Sequence, residues 1–440
     1  MSRSLLAVVC LLCGVEAIVS AQDANWIGKR IVVKRPGLKI GYSDKDGRQI
    51  YVAVLSQMAY TVMGDQAGFV KVQEREHEGW LDKEEALLVD DAIAHYSKKI
   101  ADDPSEPIPY AFRGWAQKEK GAAEAALRDY DTALRLKPNA EWFNNRGLIK
   151  VDLKQYDAAI ADFTEAMRLD PKMVVAYENR GQVYITHKNW DPALRDFSDA
   201  LKLDAKYAPL YFKRTQIHLG RNDLAKAMDD VNAGLALDPK NHHALLVRGN
   251  IHMDRHDLDK ALADYTKAIE LNAKFPEAYF QRAVLHAAKK EHDKALKDSN
   301  EGLRLQPDNA AALAQRGWSL FMTKKYAEAR ADYERAVGLD AKEISALNNW
   351  AWMLATCPDD KYRDGKQAVA LAKKACELTM EKDPGCLDTM AAAYAEVENF
   401  DEAVRYQNRV LEDKSLDKEL ADEARIRLKL YMSKKAYRQK

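Results

Sequence analysis

Cysteine is scarce in this 440-residue sequence: Cys10 and Cys13 lie in an N-terminal apolar stretch, and only Cys357, Cys376 and Cys386 follow it. Three thiols allow at most one disulfide, so cystine does not hold the fold together. Charge of one sign is missing as well, because 68 basic residues balance 68 acidic ones. A neutral chain offers no electrostatic footprint for nucleic acid. After residue 21 no apolar run is long enough to span a bilayer. No Pro/Gly/Ser-rich linker interrupts the chain, which argues for a fixed angle between its parts. Nothing resembles a nucleophile with its base, a phosphate loop or a positioned carboxylate pair. The reading is therefore of a chain that is not an enzyme and takes no cofactor.

What is present is repetition. An Arg followed by a small residue recurs at Arg113, Arg146, Arg180, Arg214, Arg248, Arg282 and Arg316, and from Arg146 onward the step is constant. Small residues recur at Ala126, Ala159, Ala193, Ala227, Ala261, Ala295 and Ala329, and again at Ala133, Ala166, Ala200, Gly234, Ala268, Gly302 and Ala336. Bulky residues fill the space between, at Tyr130, Phe163, Phe197, Val231, Tyr265 and Tyr333, with Ser299 the exception. Pro138, Pro171, Pro239 and Pro307 stop the second helix of a unit, since proline cannot continue one. Each unit thus reads as a helical hairpin in which small columns let two helices approach.

At these residues the chain resembles a tetratricopeptide-repeat array, whose period the arginine step matches. The resemblance implies a mainly α fold, a right-handed solenoid of about nine helix-turn-helix repeats over residues 105–412. One departure is an Arg where the common pattern has Leu, with an Asp at a fixed offset after it: Asp129, Asp162, Asp196, Asp230, Asp264, Asp298 and Asp332. Buried arginine is rarely left unpaired, so the expectation is an internal salt bridge repeated down the array.

Residues 1–21 have a basic start, an apolar run and Val19-Ser20-Ala21 as a small-residue cleavage site, a secretory signal peptide. The expectation is an exported chain, periplasmic or secreted. Over residues 22–88, short apolar runs alternate with turn sequences and predict five strands, Arg30 to Lys34, Leu38 to Tyr42, Tyr51 to Ser56, Tyr60 to Gly64 and Gly68 to Gln73. With Gly79-Trp80-Leu81, this stretch resembles a bacterial Src-homology-3-like barrel, a family that binds peptides or cell-wall material. Trp26 and Trp80 read as core residues. Residues 89–104 read as a connecting helix, and 413–440 as a capping helix and tail, which stacked arrays need. The closing repeats resemble those of exported tetratricopeptide proteins from planctomycete-type bacteria. The basic run Arg425, Arg427, Lys429, Lys434, Lys435, Arg438 and Lys440 ends a helix, where cations offset the dipole.

Cys376 ends one helix and Cys386 begins the next, so they, and not Cys357, are the candidate disulfide pair. His218, His252 and His286 share a column, with His256 one turn after His252; their spacing along the stack is too wide for one ion, so no metal is expected.

In this family the concave face is lined by first-helix side chains. One column there holds the amides Asn145, Asn179, Gln281, Gln315 and Asn349, which resemble in part the asparagine ladder of the O-GlcNAc transferase array. Its neighbours hold Phe212, Leu246, Phe280, Val284, Trp318, Phe321 and Trp352. The expected site is an apolar groove floored by amides that binds an apolar segment of an envelope protein, aromatics being the commonest interface anchors. The alternative is a peptidoglycan-associated protein acting through the barrel, with the array as spacer.

Overall fold

A computed structural model of the chain describes residues 27–34, 38–43, 49–54, 59–66, 68–74, 77–413, 416 and 418–439. Residues 1–21, read as a signal peptide, lie outside the described residues, as do Trp26 and Lys440. Two compact units divide the chain, one through Ala205 and one from Lys206.

The first unit opens with strands β1 Arg30–Val33, β2 Lys39–Ser43, β3 Gln49–Val54, β4 Ala59–Thr61, β5 Gly64–Gln66, β6 Phe69–Glu74, β7 His77–Asp82 and β8 Ala86–Leu88. They form two antiparallel sheets, β4-β1-β8 and β3-β2-β7-β6-β5, sharing one core that includes Ile31, Ile40, Val62, Val70, Val72 and Leu81. Among the described residues there are thus eight strands where five were expected, in two open sheets. Charges hid β7, His77-Glu78-Gly79-Trp80-Leu81-Asp82, whose buried residues are only Gly79 and Leu81; Trp80, read as core, is half-buried on the alternate face. β5 was hidden by having no apolar side chain at all. Register shifts at Ile40/Gly41, where a β-carbon on Gly41 would come within 2.1 Å of the Ile50 carbonyl oxygen.

Helices follow: α1 Val89–Asp102, then the pairs α2 Pro107–Glu119 with α3 Ala123–Leu136, α4 Ala140–Asp152 with α5 Tyr156–Leu169, and α6 Val174–Thr186 with α7 Trp190–Leu203. The second unit continues with α8 Ala208–Gly220 and α9 Leu224–Leu237, α10 His242–Asp254 and α11 Leu258–Leu271, and α12 Pro276–Ala288 and α13 His292–Leu305. It ends with α14 Ala310–Met322 and α15 Tyr326–Leu339, α16 Ile344–Thr356 and α17 Gly365–Leu378, α18 Pro384–Glu396 and α19 Phe400–Glu412, and a last helix, α20 Lys418–Met432. No helix among the described residues is long and apolar enough to cross a membrane.

Local chemistry sets the ends of each hairpin. Asn139, Asn241 and Asn309 cap α4, α10 and α14 by accepting a backbone N–H from the first turn. The turns place Lys154, Lys188, Asn222, His256, Lys290 and Lys324 in the left-handed region, with φ from 56° to 62°. The following N–H reaches back along the helix, as Gln155 N does to Lys150 O at 2.7 Å and Glu291 N to His286 O at 2.8 Å, closing a Schellman motif. Second helices stop just before Pro138, Pro171, Pro239 and Pro307, as expected, yet α7, α11 and α15 stop at the same place without proline. The extended residue after each, such as Asp204, Asn272 or Asp340, is enough.

Packing within the hairpins follows two schemes. In one, a first-helix glycine faces a second-helix ring: a β-carbon on Gly181 would meet Phe197 at 2.4 Å, and one on Gly249 would meet Tyr265 at 2.5 Å. In α8/α9 and α12/α13 the partners are exchanged. Val231 and Ser299 replace the second-helix ring, and Phe212 and Phe280 supply one from the first helix, against Gly234 and Gly302. Ser299 is no gap in the pattern, because Phe280 does its filling from the opposite helix.

Candidate functional site

The Arg–Asp ladder forms in all seven registers. Arg113 donates Nε and Nη2 to Asp129 at 2.7 Å each, Arg248 donates to Asp264 at 2.9 and 2.7 Å, and Arg316 donates to Asp332 at 2.7 Å twice. Arg146–Asp162, Arg180–Asp196, Arg214–Asp230 and Arg282–Asp298 repeat the fork. The aspartates are buried, and their hydrogen bonds hold the guanidinium pKa of Arg113, Arg180, Arg248, Arg282 and Arg316 above its ordinary value. A third N–H reaches the preceding hairpin: Arg146 to Asp131 at 2.6 Å, Arg180 to Thr164 at 2.8 Å, Arg248 to Asn232 at 3.0 Å, Arg282 to Thr266 at 3.2 Å and Arg316 to Asn300 at 2.9 Å. Each of these arginines therefore ties three helices. The reading from sequence missed this third bond, whose signal is the polar residue two positions after each Asp, as in Asp131, Thr164, Asn232, Thr266 and Asn300.

The histidine column joins the same network. His218 lies 3.5 Å from Asp230, and His252 lies 3.6 Å from Asp257 and 4.0 Å from Asp264. His286 bonds Glu291 at 2.7 Å and approaches Asp298 to 3.9 Å. His256 is in the turn beyond α10, so it does not share a helix face with His252.

The amide column is partly satisfied within the chain. Asn179 donates to Asn144 on the previous first helix at 2.8 Å, and Asn145 lies against the Tyr130 hydroxyl. Asn349 is half-buried and accepts from Asn348 at 3.5 Å. Gln281 and Gln315 instead line a cavity of about 330 Å³ together with Phe280 and Val284. Glu277, Ser299, Asn309, Ala311, Ala312 and Ser345 complete its wall. Four groove residues read from the sequence thus meet in one place, between α12 and α14. The missed wall residues had one signal among them: Ser299, the break in the bulky column.

The remaining aromatics are placed otherwise. Phe212 packs on Gly234, and Leu246 fills the space between the cores of neighbouring hairpins. Phe321 is 2% exposed and is core, while half-buried Trp318 stands 5.9 Å from it. Trp352 is also buried, because the chain's last residues lie on it: its Nε1 donates to Gln439 at 3.3 Å, and the Tyr437 ring is 5.9 Å away. Phe321 and Trp352 are therefore not free groove walls, since packing within the chain consumes them. Cys376 and Cys386, read as a candidate disulfide, are buried free thiols, as is Cys357. Within the basic run, Arg427 is buried against Asp388 at 2.9 Å, and Arg438 pairs with Glu396 at 2.7 Å.

Comparison with known proteins agrees with this geometry. Family models described as tetratricopeptide repeat match residues 113–174, 144–208, 276–309 and 300–344, and one described as TPR repeat matches 249–290. Hsp70-Hsp90 organizing protein 3 of Arabidopsis thaliana is 29% identical over 83 residues, 19% of this chain and 15% of that protein. Tetratricopeptide repeat protein 6 of Homo sapiens is 30% identical over 83 residues, 19% of this chain and 16% of that protein. The match thus spans about a sixth of either relative. A tetratricopeptide repeat protein from Parabacteroides merdae, 19% identical, covers 67% of this chain and 98% of its own with a TM-score of 0.42. YrrB, described as a TPR protein with an unusual peptide-binding site, is 22% identical and covers 42% of this chain and 95% of its own, with a TM-score of 0.37. Over residues 113–208 and 249–344 the helix pairs and the matched repeats coincide, and these two stretches are tetratricopeptide repeats.

Proposed function

We propose that this chain is a protein–protein interaction scaffold of the cell envelope that holds an apolar segment of a partner on its first-helix face. The observation that carries the reading is the cavity between α12 and α14, where Phe280 and Val284 offer apolar surface beside the amides of Gln281 and Gln315. An apolar side chain would fill it while the amides bond the backbone on either side. The Arabidopsis relative is named for organizing Hsp70 and Hsp90, which supports a partner-holding use of the repeats.

Phe280 is a poor probe because it also packs on Gly302. Val284, 36% exposed, is the better one. Full-length chain is used to capture partners from envelope extract, and the captured protein is then titrated pure. Val284→Asp lowers its affinity at least tenfold with the unfolding temperature unchanged. Unaltered affinity rejects the cavity. Export is tested separately, by sequencing the N-terminus of the secreted chain, which begins at Gln22 on this reading.

A second reading, wall or peptide binding by the N-terminal sheets, draws on Tyr42, Ile50 and Tyr51, which stand exposed on paired strands β2 and β3. Tyr42→Ser abolishes sedimentation with purified peptidoglycan if the face that Tyr42 shares with Ile50 is used.

A further inference from the structure

The last residues of the chain fold back onto the C-terminal end of α16. An α-helix leaves its final four carbonyls without partners in the helix. Here Met353 O accepts from Cys357 N and Leu354 O from Asp364 N, each at 3.0 Å. The other two belong to the tail: Ala355 O accepts from the Arg438 guanidinium at 3.3 Å, and Thr356 O from the Gln439 backbone N–H at 2.9 Å. Three further contacts are made by side chains. Arg438 pairs with Glu396 on α18 at 2.7 Å, Gln439 accepts from the Trp352 indole, and Tyr437 packs beside Trp352. The Arg427 guanidinium covers both rings, 5.4 Å from Trp352 and 5.6 Å from Tyr437.

The tail is not part of the hairpin stack. Residues 435–439 have no regular secondary structure, Ser433 to Lys435 are exposed, and Tyr437, Arg438 and Gln439 are half-buried. Trp352 lies one period beyond Trp318 and two beyond Val284, in one column of the first-helix face. What rests there is an extended segment held by its backbone, an aromatic ring, a guanidinium and a side-chain carbonyl. If it lifts away, two helix-end carbonyls and an indole N–H lose their partners together, and the Glu396 carboxylate, 13% exposed, keeps Arg363 at 2.9 Å on one oxygen but loses Arg438 from the other. Such a set is costly to leave bare, so another segment of the same chemistry is the natural replacement.

We infer that the α16–α18 end of the array is a peptide site closed by the chain's own tail, and that it takes from a partner protein an extended segment reading aromatic, Arg, then a residue with a side-chain carbonyl. Glu396 selects the guanidinium, the corner that Trp352 and Arg427 form together selects the ring, and Thr356 O reads the backbone. This site is separate from the α12–α14 cavity and stands or falls independently of it.

The test uses the full chain carrying Tyr437→Ala and Arg438→Ala, which frees the site, and a fluorescent peptide of residues Ser433 to Lys440. The tail-released chain binds the peptide at least tenfold more tightly than the unaltered chain, and adding Glu396→Gln removes that gain. A tail-released chain that is folded by circular dichroism yet binds no better than the unaltered chain overturns the inference. Should the double variant misfold, a label on Lys434→Cys reports the tail directly: saturating unlabelled peptide lowers its anisotropy, and no change overturns the inference. A dimer that exchanges tails, seen by light scattering, overturns the partner-segment reading as well.

Discussion

The guanidinium of Arg248 donates to Asp264 and to Asn232, so removing it strands a carboxylate that is 6% exposed. Arg248→Ala costs about 3 kcal/mol, the size of breaking a buried pair from one side. Urea unfolding measures it, and Arg248→Leu with Asp264→Leu recovers most of the loss. Burial lowers the pKa of His218 from 6.5, outweighing the upward pull of Asp230. Acidification therefore protonates the unfolded chain first, and the stability linked to His218 is intact above about pH 6.5 and falls as pH drops through that value. His95, His242 and His292 lean the same way, again chiefly through burial. His218→Gln flattens the fall in urea midpoint between about pH 7 and pH 5. Burial also pushes the thiols of Cys376 and Cys386 up to about 12, so both resist a thiol reagent in the native chain and react once it is unfolded.

At the scale of the hairpin, the exchanged packing gives a sharp expectation. A β-carbon on Gly302 would sit 2.4 Å from the Phe280 ring, so Gly302→Ala costs about 2 kcal/mol by overpacking, and Phe280→Leu added to it restores part of that. Thermal unfolding of the two variants decides it. Hairpins were legible in the sequence because period, small columns and turn residues agree; the Arg–Asp pairs were legible because a charge recurring at a fixed offset needs a partner. What was not legible was direction. A list of columns does not say that Phe212 and Phe280 face a glycine across their own hairpin, although Gly234 and Gly302 follow them at the same offset. Strand β7 was lost because its alternation runs through charged residues, and Trp352 looked free because its cover lies far along the chain in a tail with no periodicity.

For the molecule as a whole, stability in a stacked array is a sum of local terms rather than one cooperative quantity. Two compact units, each with its own cores, follow that rule. Unfolding in urea shows more than one transition, and Arg113→Ala and Arg316→Ala move different ones. If a single transition shifts for both, the units unfold together.

The third bond of Arg248, Arg282 and Arg316 has a consequence for how such a chain changes length. Excising Lys240 to Ala273, one whole period, would bring Arg282 over Asn232 in place of Thr266, an acceptor that already serves Arg248. Phe280 and Gly302 stay together in the retained hairpin, and so do Phe212 and Gly234. The joints are interchangeable while the fillings travel with their own unit, so whole periods can be lost or duplicated by recombination without leaving an ionic partner behind.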